Sequence, residues 1–583
     1  MASPARPYED TASDAVRGRI LLLLALLVTV MAYLATLRFA FVYDDTPQIV
    51  LNSTLTNWAT LPTLFASHSW KFLMPDLLTN YYRPLFMSWL LVNRKLFDLY
   101  TPAWHATTVL VHLVATWLAF VVARQLMRSA TNAGFVAILF GLHPIHVEGV
   151  AWVSGVTEPL MAAFVLAAFW AWIESEREPE HGLFYKLLAA VFFAAGCLCK
   201  ETALLFPIVV VAHDVLRGQF NRDAKGLLQA ALRATPLWII AVAYLAVRAI
   251  VLRGLLHPAN EPISHVLLSV PTIFWGYMRR LVWPVHLSVF YATPPVTSPL
   301  QVRFWLPLAA LIFSGIIAWR IGTRSRLAGL AMVWILVFLA PAFVGLPVFV
   351  RGEWIHDRYL YLPSFGFCLL VVLAIAQIPS KREIFHLPAA PTAIVLLLAA
   401  AMAFATSIEE LPWTNDFTLF LHAALLQPDS PQAQSHLATE FYRRGDVPDA
   451  EQRYQNAIRL NPSDWKNRLA YGLMLFYTGQ FEKSDSELQK AIAIQPYDSN
   501  EYFYQGMSRF NQGHYPQAEQ AFSQAITTGP ARSRYHFWLG FTYEKEGRFN
   551  QAKSEYQKEL TLHPETDTQV RERLEGLEGK PGN

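Results

Sequence analysis

The sequence predicts an all-α protein in two parts: a polytopic membrane bundle of about eleven helices over residues 20–407, and an α-solenoid over residues 431–564. Three observations predict it. The 583 residues are 54% hydrophobic and only 16% charged, where a soluble chain carries about 25% charge. The charge is unevenly spread: residues 1–407 hold 29 Lys and Arg with 20 Asp and Glu, while the shorter remainder holds 18 and 24. Finally, prolines 428, 462, 496, 530 and 564 recur every 34 residues.

The elements follow in order. Residues 1–19 form a short polar segment. Arg17 and Arg19 then precede Ile20–Leu37, a run without charge and long enough to span a bilayer as a helix. It is too long for a signal-peptide core, so it is expected to be retained. Further apolar runs lie at about 103–123, 134–151, 159–173, 183–199, 202–216, 235–252, 303–319, 327–348, 364–379 and 387–407. A twelfth stretch, 263–290, carries Pro271, Arg279, Arg280 and Pro284 and is expected to be re-entrant or interfacial. Residues 408–430 are expected to be a linker.

In the tail, Gly445, Gly479, Gly513 and Gly547 keep the 34-residue step, as do Tyr454, Leu488, Phe522 and Tyr556. A mid-repeat Gly turn with a closing Pro at this period is the tetratricopeptide (TPR) pattern, two antiparallel helices per unit. Ala450, Ser484, Ala518 and Ala552 fall where the two helices of a repeat touch. Four repeats result, and residues 565–583 are expected to be a polar partial cap with a frayed end.

Short loops rich in Arg and Lys mark the cytosolic side. Arg6, Arg17, Arg19, Arg124, Arg128, Arg217, Arg222, Lys225, Arg233, Arg320, Arg324, Arg326, Lys381 and Arg382 fall on one side. The N terminus is therefore expected in the cytosol and, with an odd number of spans, the repeats on the opposite face. Arg83, Arg279, Arg280, Arg351 and Arg358 fall on the outer side against this trend. The net charge of +3 is spread without a basic run, which argues against nucleic acid as a partner. Cys197, Cys199 and Cys368 sit in apolar runs and match no disulfide framework or zinc spacing. They read as small core residues.

Chemistry is expected at the outer boundary. Asp44 and Asp45 follow the first span in Phe41-Val42-Tyr43-Asp44-Asp45. One carboxylate can take the proton of an incoming hydroxyl while its neighbour orients the acceptor or a cation, although Asp-Thr-Pro also favours a solvated turn. Arg83, in Tyr81-Tyr82-Arg83-Pro84, either clamps a phosphate or snorkels to headgroups. His143, His146 and Glu148, with Glu158 beyond, offer metal-ligand chemistry, or hydrogen bonds among themselves. Lys200 and Glu201 either neutralise one another or touch substrate. Arg279 and Arg280, then Asp357, Arg358 and Tyr359, complete the set. Several outer cations with a carboxylate pair suit transfer of a sugar from a lipid phosphate: the cations hold the leaving phosphate and a base accepts the acceptor proton.

These motifs, in the order Phe-Val-Tyr-Asp-Asp, Tyr-Arg-Pro-Leu, Leu-His-Pro-Ile-His-Val-Glu, Arg-Arg-Leu-Val-Trp-Pro with Val-Phe-Tyr behind, and Asp-Arg-Tyr-Leu-Tyr-Leu-Pro, together with the repeats, resemble the transmembrane and tetratricopeptide-repeat-containing proteins and their bacterial relatives. These are membrane glycosyltransferases of the GT-C fold, similar to protein O-mannosyltransferases. The resemblance implies a polyprenyl-phosphate sugar donor, usually mannose, and a protein or peptide hydroxyl acceptor outside the cytosol, bound with help from the repeats. It implies Asp44 and Asp45 as catalytic residues and donor-phosphate binding at Arg358 and Arg280, with Arg83 and Lys200 as further cations. His143, His146, Glu148, Glu158, Glu201, Asp357 and Tyr359 stand as supporting residues. No cofactor is required, and a divalent cation is compatible with the site. Val156-Thr157-Glu158 lacks a basic residue common in bacterial relatives, and Lys200-Glu201 replaces a frequent Lys-Pro.

Two other functions fit the same architecture. An O-antigen ligase or polymerase also carries repeats, but depends on a large late outer loop rather than on the first. A non-catalytic membrane scaffold for envelope assembly needs only one anchoring span. The expected location is a bacterial inner membrane with the repeats in the periplasm, or an endoplasmic reticulum membrane with luminal repeats.

Overall fold

The computed structural model describes residues 12–73, 79–254, 262–349, 352–384, 386–529, 532–564 and 567–577. Arg6, Arg351, Pro530 and the segments 1–11, 565–566 and 578–583 lie outside them. The described chain is mostly helical, and its strands form a two-stranded antiparallel hairpin pairing Glu383 with Pro388. It divides into two units, residues 1–422 and 423–583.

Among the described residues of the first unit, eight helices are long and apolar enough to cross a membrane, or nine when the bent pair Ala130–Gly141 and Pro144–Ala151 counts as one span. The eleven expected spans are fewer for a physical reason. The runs at 202–216 and 364–379 form helices of only 11 and 13 residues, Phe206–Leu216 and Pro363–Ile375, about 17 and 20 Å long. The run at 134–151 bends by 52°. Its break is Pro144, which forces the preceding His143 into an extended conformation (φ −65°, ψ 120°) and so ends the helix. The stretch expected to be re-entrant or interfacial holds a continuous 20-residue helix, Ile263–Val282, with Pro271 inside it; it is not among the described helices long and apolar enough to cross a membrane. Arg279 and Arg280 stand in its last turn, where the negative end of the helix dipole favours cations.

Residues 408–430, read as a linker, contain regular structure. The helix Asp416–Leu426 occupies half of them, started by Asn415, whose side-chain oxygen accepts the Thr418 N–H at 3.1 Å. Trp413 is buried and stacks on Trp152 at 6.1 Å.

The second unit holds four helix pairs, from Pro431–Arg443 with Val447–Leu460 to Tyr535–Lys545 with Phe549–Leu562, followed by a last helix, Asp567–Gly576. Ala450, Ser484, Ala518 and Ala552 are fully buried, and Ser484 Oγ donates to the Gly472 carbonyl of the paired helix at 2.8 Å. A second small register runs along the partner helices: a Cβ on Gly472, Gly506 or Gly540 would lie 2.9, 2.7 and 2.9 Å from Leu488, Phe522 and Tyr556. The large residue of one helix thus seats on the bare backbone of the other. Gly506→Val is therefore expected to cost about 1–3 kcal/mol through overpacking. Circular-dichroism melting of the full chain checks this, with Gly506→Ala expected to lie in between.

Candidate active site

The site is built on the turn after the first span. Tyr43 has φ +54°, a left-handed backbone that is costly for a bulky residue and marks over-determined sites. Several contacts hold it there. The Tyr43 N–H donates to Asp416 Oδ1 at 2.7 Å, and its ring packs on Trp152 and Phe290, each at 5.7 Å.

The turn separates the two aspartates into different environments. Asp45 is fully buried. Its Oδ2 accepts the Val42 N–H at 3.1 Å, and its Oδ1 accepts the Ser154 N–H at 2.8 Å and the Ser154 hydroxyl at 2.6 Å. Burial raises the carboxyl to about 7, against the pull of the three donors. Asp44 is half-buried. Burial and then the Asp44 charge push the Tyr43 phenol up, while the Arg358 guanidinium pulls it down. One phenol therefore feels both Asp44 and Arg358.

Asp45 clamps the first loop to Ser154, and Asp45→Asn tests that clamp. Either amide orientation would set an NH2 against a backbone N–H. A protonated carboxyl, by contrast, keeps an acceptor lone pair on each oxygen. The variant is expected to lose about 1–3 kcal/mol of stability. Between the unfolded value near 4 and about 7, folded Asp45 holds a proton that the unfolded chain has released. Its contribution therefore falls as pH rises through that window. The wild-type advantage over Asp45→Asn should narrow from pH 4 to 7 in melting curves.

The cations are not bare, and their pairing differs from the adjacency in sequence. Lys200 and Glu201 do not neutralise one another. Lys200 pairs with Glu158, both almost fully buried, and Glu201 accepts Arg83 Nη2 at 2.7 Å and Nε at 3.2 Å. Arg358 pairs with Glu148 through its guanidinium, and also donates its backbone N–H to Glu148 Oε2 at 2.8 Å. Tyr359 lies among these pairs, with Lys200 Nζ 4.3 Å and Arg358 Cζ 5.7 Å from its ring centroid. Beside them Arg280 stacks on Tyr291 at 3.6 Å. Asp357 accepts the Tyr291 hydroxyl at 2.7 Å and faces Arg280 Nε at 3.7 Å, a distance too long for a hydrogen bond. Burial raises the Asp357 carboxyl, and Arg280 opposes that shift.

Exposure sorts the four cations. Lys200 is 1% and Arg280 10% exposed at the side chain, against 14% for Arg83 and 21% for Arg358. Arg358 Nε and Nη2 make no hydrogen bond among the described residues, which leaves them for an incoming oxygen.

His143, His146 and Glu148 do not form a metal centre. His143 Nε2 bonds the Leu281 carbonyl at 3.1 Å, His146 Nε2 bonds Ser364 Oγ at 2.8 Å, and Glu148 is taken by Arg358. Nor do these three satisfy one another. The helix break at Pro144 turns the histidines into the bundle and Glu148 toward the loop. Two positioning residues, Ser154 and Tyr291, stand outside the candidate set derived from sequence. Ser154 stands two residues before Val156-Thr157-Glu158 and Tyr291 closes Val289-Phe290-Tyr291, but their partners are remote along the chain.

Comparison with known proteins finds relatives of the chain. The tetratricopeptide repeat family matches residues 436–499 and 505–565. The chain is 28% identical over 494 residues to a Caenorhabditis elegans protein named protein O-mannosyl-transferase F38B6.6, covering 78% of this chain and 64% of that one. It is 26% identical over 478 residues to mouse protein O-mannosyl-transferase TMTC3, covering 75% and 51%. The chain thus spans about half to two thirds of the length of these relatives. Among solved structures, MamA is 19% identical, covering 26% of this chain and 88% of that one at a TM-score of 0.25. Over three quarters of its length the chain is a homologue of the TMTC-type proteins named protein O-mannosyl-transferases, and its C-terminal part is a TPR array.

Proposed function

We propose that this chain is an integral-membrane glycosyltransferase of the GT-C kind that moves a sugar, mannose by analogy with its relatives' names, from a polyprenyl phosphate to a hydroxyl of a protein or peptide. The observation that carries this reading is the packing of the Asp44 turn beside Arg358: the Trp152 ring lies 5.7 Å from the Tyr43 ring and 5.7 Å from Arg358 Cζ. A half-buried carboxylate and a guanidinium with unused N–H groups are thereby brought to one place. The acceptor O–H gives its proton to Asp44 as its oxygen attacks the anomeric carbon from the face opposite the phosphate. The bond from that carbon to the phosphate oxygen breaks, and polyprenyl phosphate leaves with the electron pair. Arg358 Nε and Nη2 receive the charge that develops on it, with Arg83 at the exposed edge. Asp45, Lys200 and Arg280 position the loops. The TPR array supplies the surface for the acceptor chain, and the N terminus lies in the cytosol with the reaction on the other face.

Purified full-length protein in liposomes, given a panel of radiolabelled polyprenyl-phosphate sugars and a Ser/Thr peptide, tests the reading. Labelled peptide from the mannosyl donor is expected. Sugar released to water alone would reject the acceptor class, and failure with every donor would reject the activity. The scheme asks for no cofactor. Transfer abolished by a chelator and restored by a divalent cation would revise that point.

A further inference from the structure

Three helices of the first unit run between the active site and a far end at which each carries an arginine. The helix Thr101–Met127 begins where Trp104 packs on Phe41 at 5.7 Å and ends at Arg128. Its 27 residues run about 40 Å. The helix Phe206–Leu216, just past Lys200 and Glu201, ends at Arg217. The helix Arg326–Val344 starts at Arg326 and leads toward the loop of Arg358. At this far end the three arginines and four leucine side chains line one cavity of about 220 Å³.

The arginines are placed by the backbone around them. Arg217 Nη2 donates to the Gln125 carbonyl at 3.0 Å, and Arg326 Nη1 donates to the Arg217 carbonyl at 3.3 Å. Gly218 takes φ +85°, and a Cβ there would lie 2.9 Å from Arg326 Nη1. A bare, left-handed turn is what lets Arg326 lie across the end of the preceding helix.

No carboxylate pairs with them directly among the described residues. Each cation of the active site has a carboxylate partner, and so does Arg233 nearby, with Glu176 at 3.1 Å. None of Arg128, Arg217 and Arg326 forms an ion pair among the described residues. Burial and the charge of Arg128 hold the Arg217 guanidinium below its ordinary range, with Glu176 opposing. A leucine-walled hollow ringed by three unpaired guanidinium groups asks for an anion with several oxygens and an apolar neighbour. Loop arginines that only orient the chain in the membrane need neither convergence nor a cavity.

We propose that this cavity binds a phosphate group, presented by an anionic phospholipid headgroup or as free phosphate, at the end of the bundle opposite the active site. The test uses the full chain in detergent, with phosphatidylglycerol, phosphatidylcholine and inorganic phosphate as probes. Native mass spectrometry reads bound lipid, and thermal unfolding reads phosphate. Retention of one phosphatidylglycerol in preference to phosphatidylcholine supports the lipid source. Stabilisation by inorganic phosphate without lipid preference supports the free anion. In either case Arg128→Gln, Arg217→Gln and Arg326→Gln should each weaken binding about fivefold, and together on the order of 100-fold. Should the triple variant fail to fold, the single variants carry the test, and a triple Lys variant should bind within about fivefold of wild type. Equal lipid retention by wild type and the Gln variants, with no effect of phosphate, overturns the proposal.

Discussion

Asp44→Asn is expected to lower the rate of sugar transfer by about 10²–10⁴, the range for loss of a general base, while leaving donor affinity unchanged. Two adjacent carboxylates that look equivalent in sequence sit in different environments. Asp45 is fully buried, and its two oxygens receive three hydrogen bonds. To accept an acceptor proton it would have to release Ser154 or Val42 and unfasten the loop. Asp44 is half-buried, next to the strained Tyr43 at φ +54°. A strained turn held by Asp416, Trp152 and Phe290 fixes where the Asp44 side chain leaves the backbone. Asn keeps the size and removes the basicity. The signature is a fall in kcat at constant KM for the donor, measured on a peptide acceptor. Asp45→Asn should instead lower stability and rate together. Wild-type turnover by Asp44→Asn would remove the mechanism.

Hydropathy and period carried most of the fold, because both are local. The apolar runs became helices, and the 34-residue step became four helix pairs. What local reading missed was length and bending: Phe206–Leu216 and Pro363–Ile375 are short helices within longer apolar runs. At the site, residue types and motifs were legible while their partnerships were not. The pairs join residues 118, 42 and 210 positions apart, so Lys200 and Glu201, neighbours in sequence, turn to different partners. The histidines of Leu142–Glu148 looked like ligands because nothing in the sequence shows that Pro144 turns them away from Glu148. The same limit hid the arginine cavity, whose three members read as ordinary loop charges until helix packing brought them together.

The buried pair Lys200–Glu158 carries the second large effect. Lys200→Met leaves the Glu158 carboxylate with its counter-ion removed in a site only 2% exposed, and breaking one half of a buried pair typically costs about 3–5 kcal/mol. The loss should appear as a lower melting temperature and a collapse of activity, because Glu158 stands at the start of the helix that Ser154 leads into. Adding Glu158→Gln removes the stranded charge, and replacing a buried pair as a whole is often neutral. The double variant is therefore expected to recover most of the stability. Its activity decides what Lys200 does. An ammonium 1% exposed and 4.3 Å from the Tyr359 ring is walled off from a ligand, so transfer should return to within about fivefold of wild type. Restored melting with transfer still abolished would mean that Lys200 touches the donor phosphate, and the division between paired struts and ligand-facing arginines would have to be redrawn.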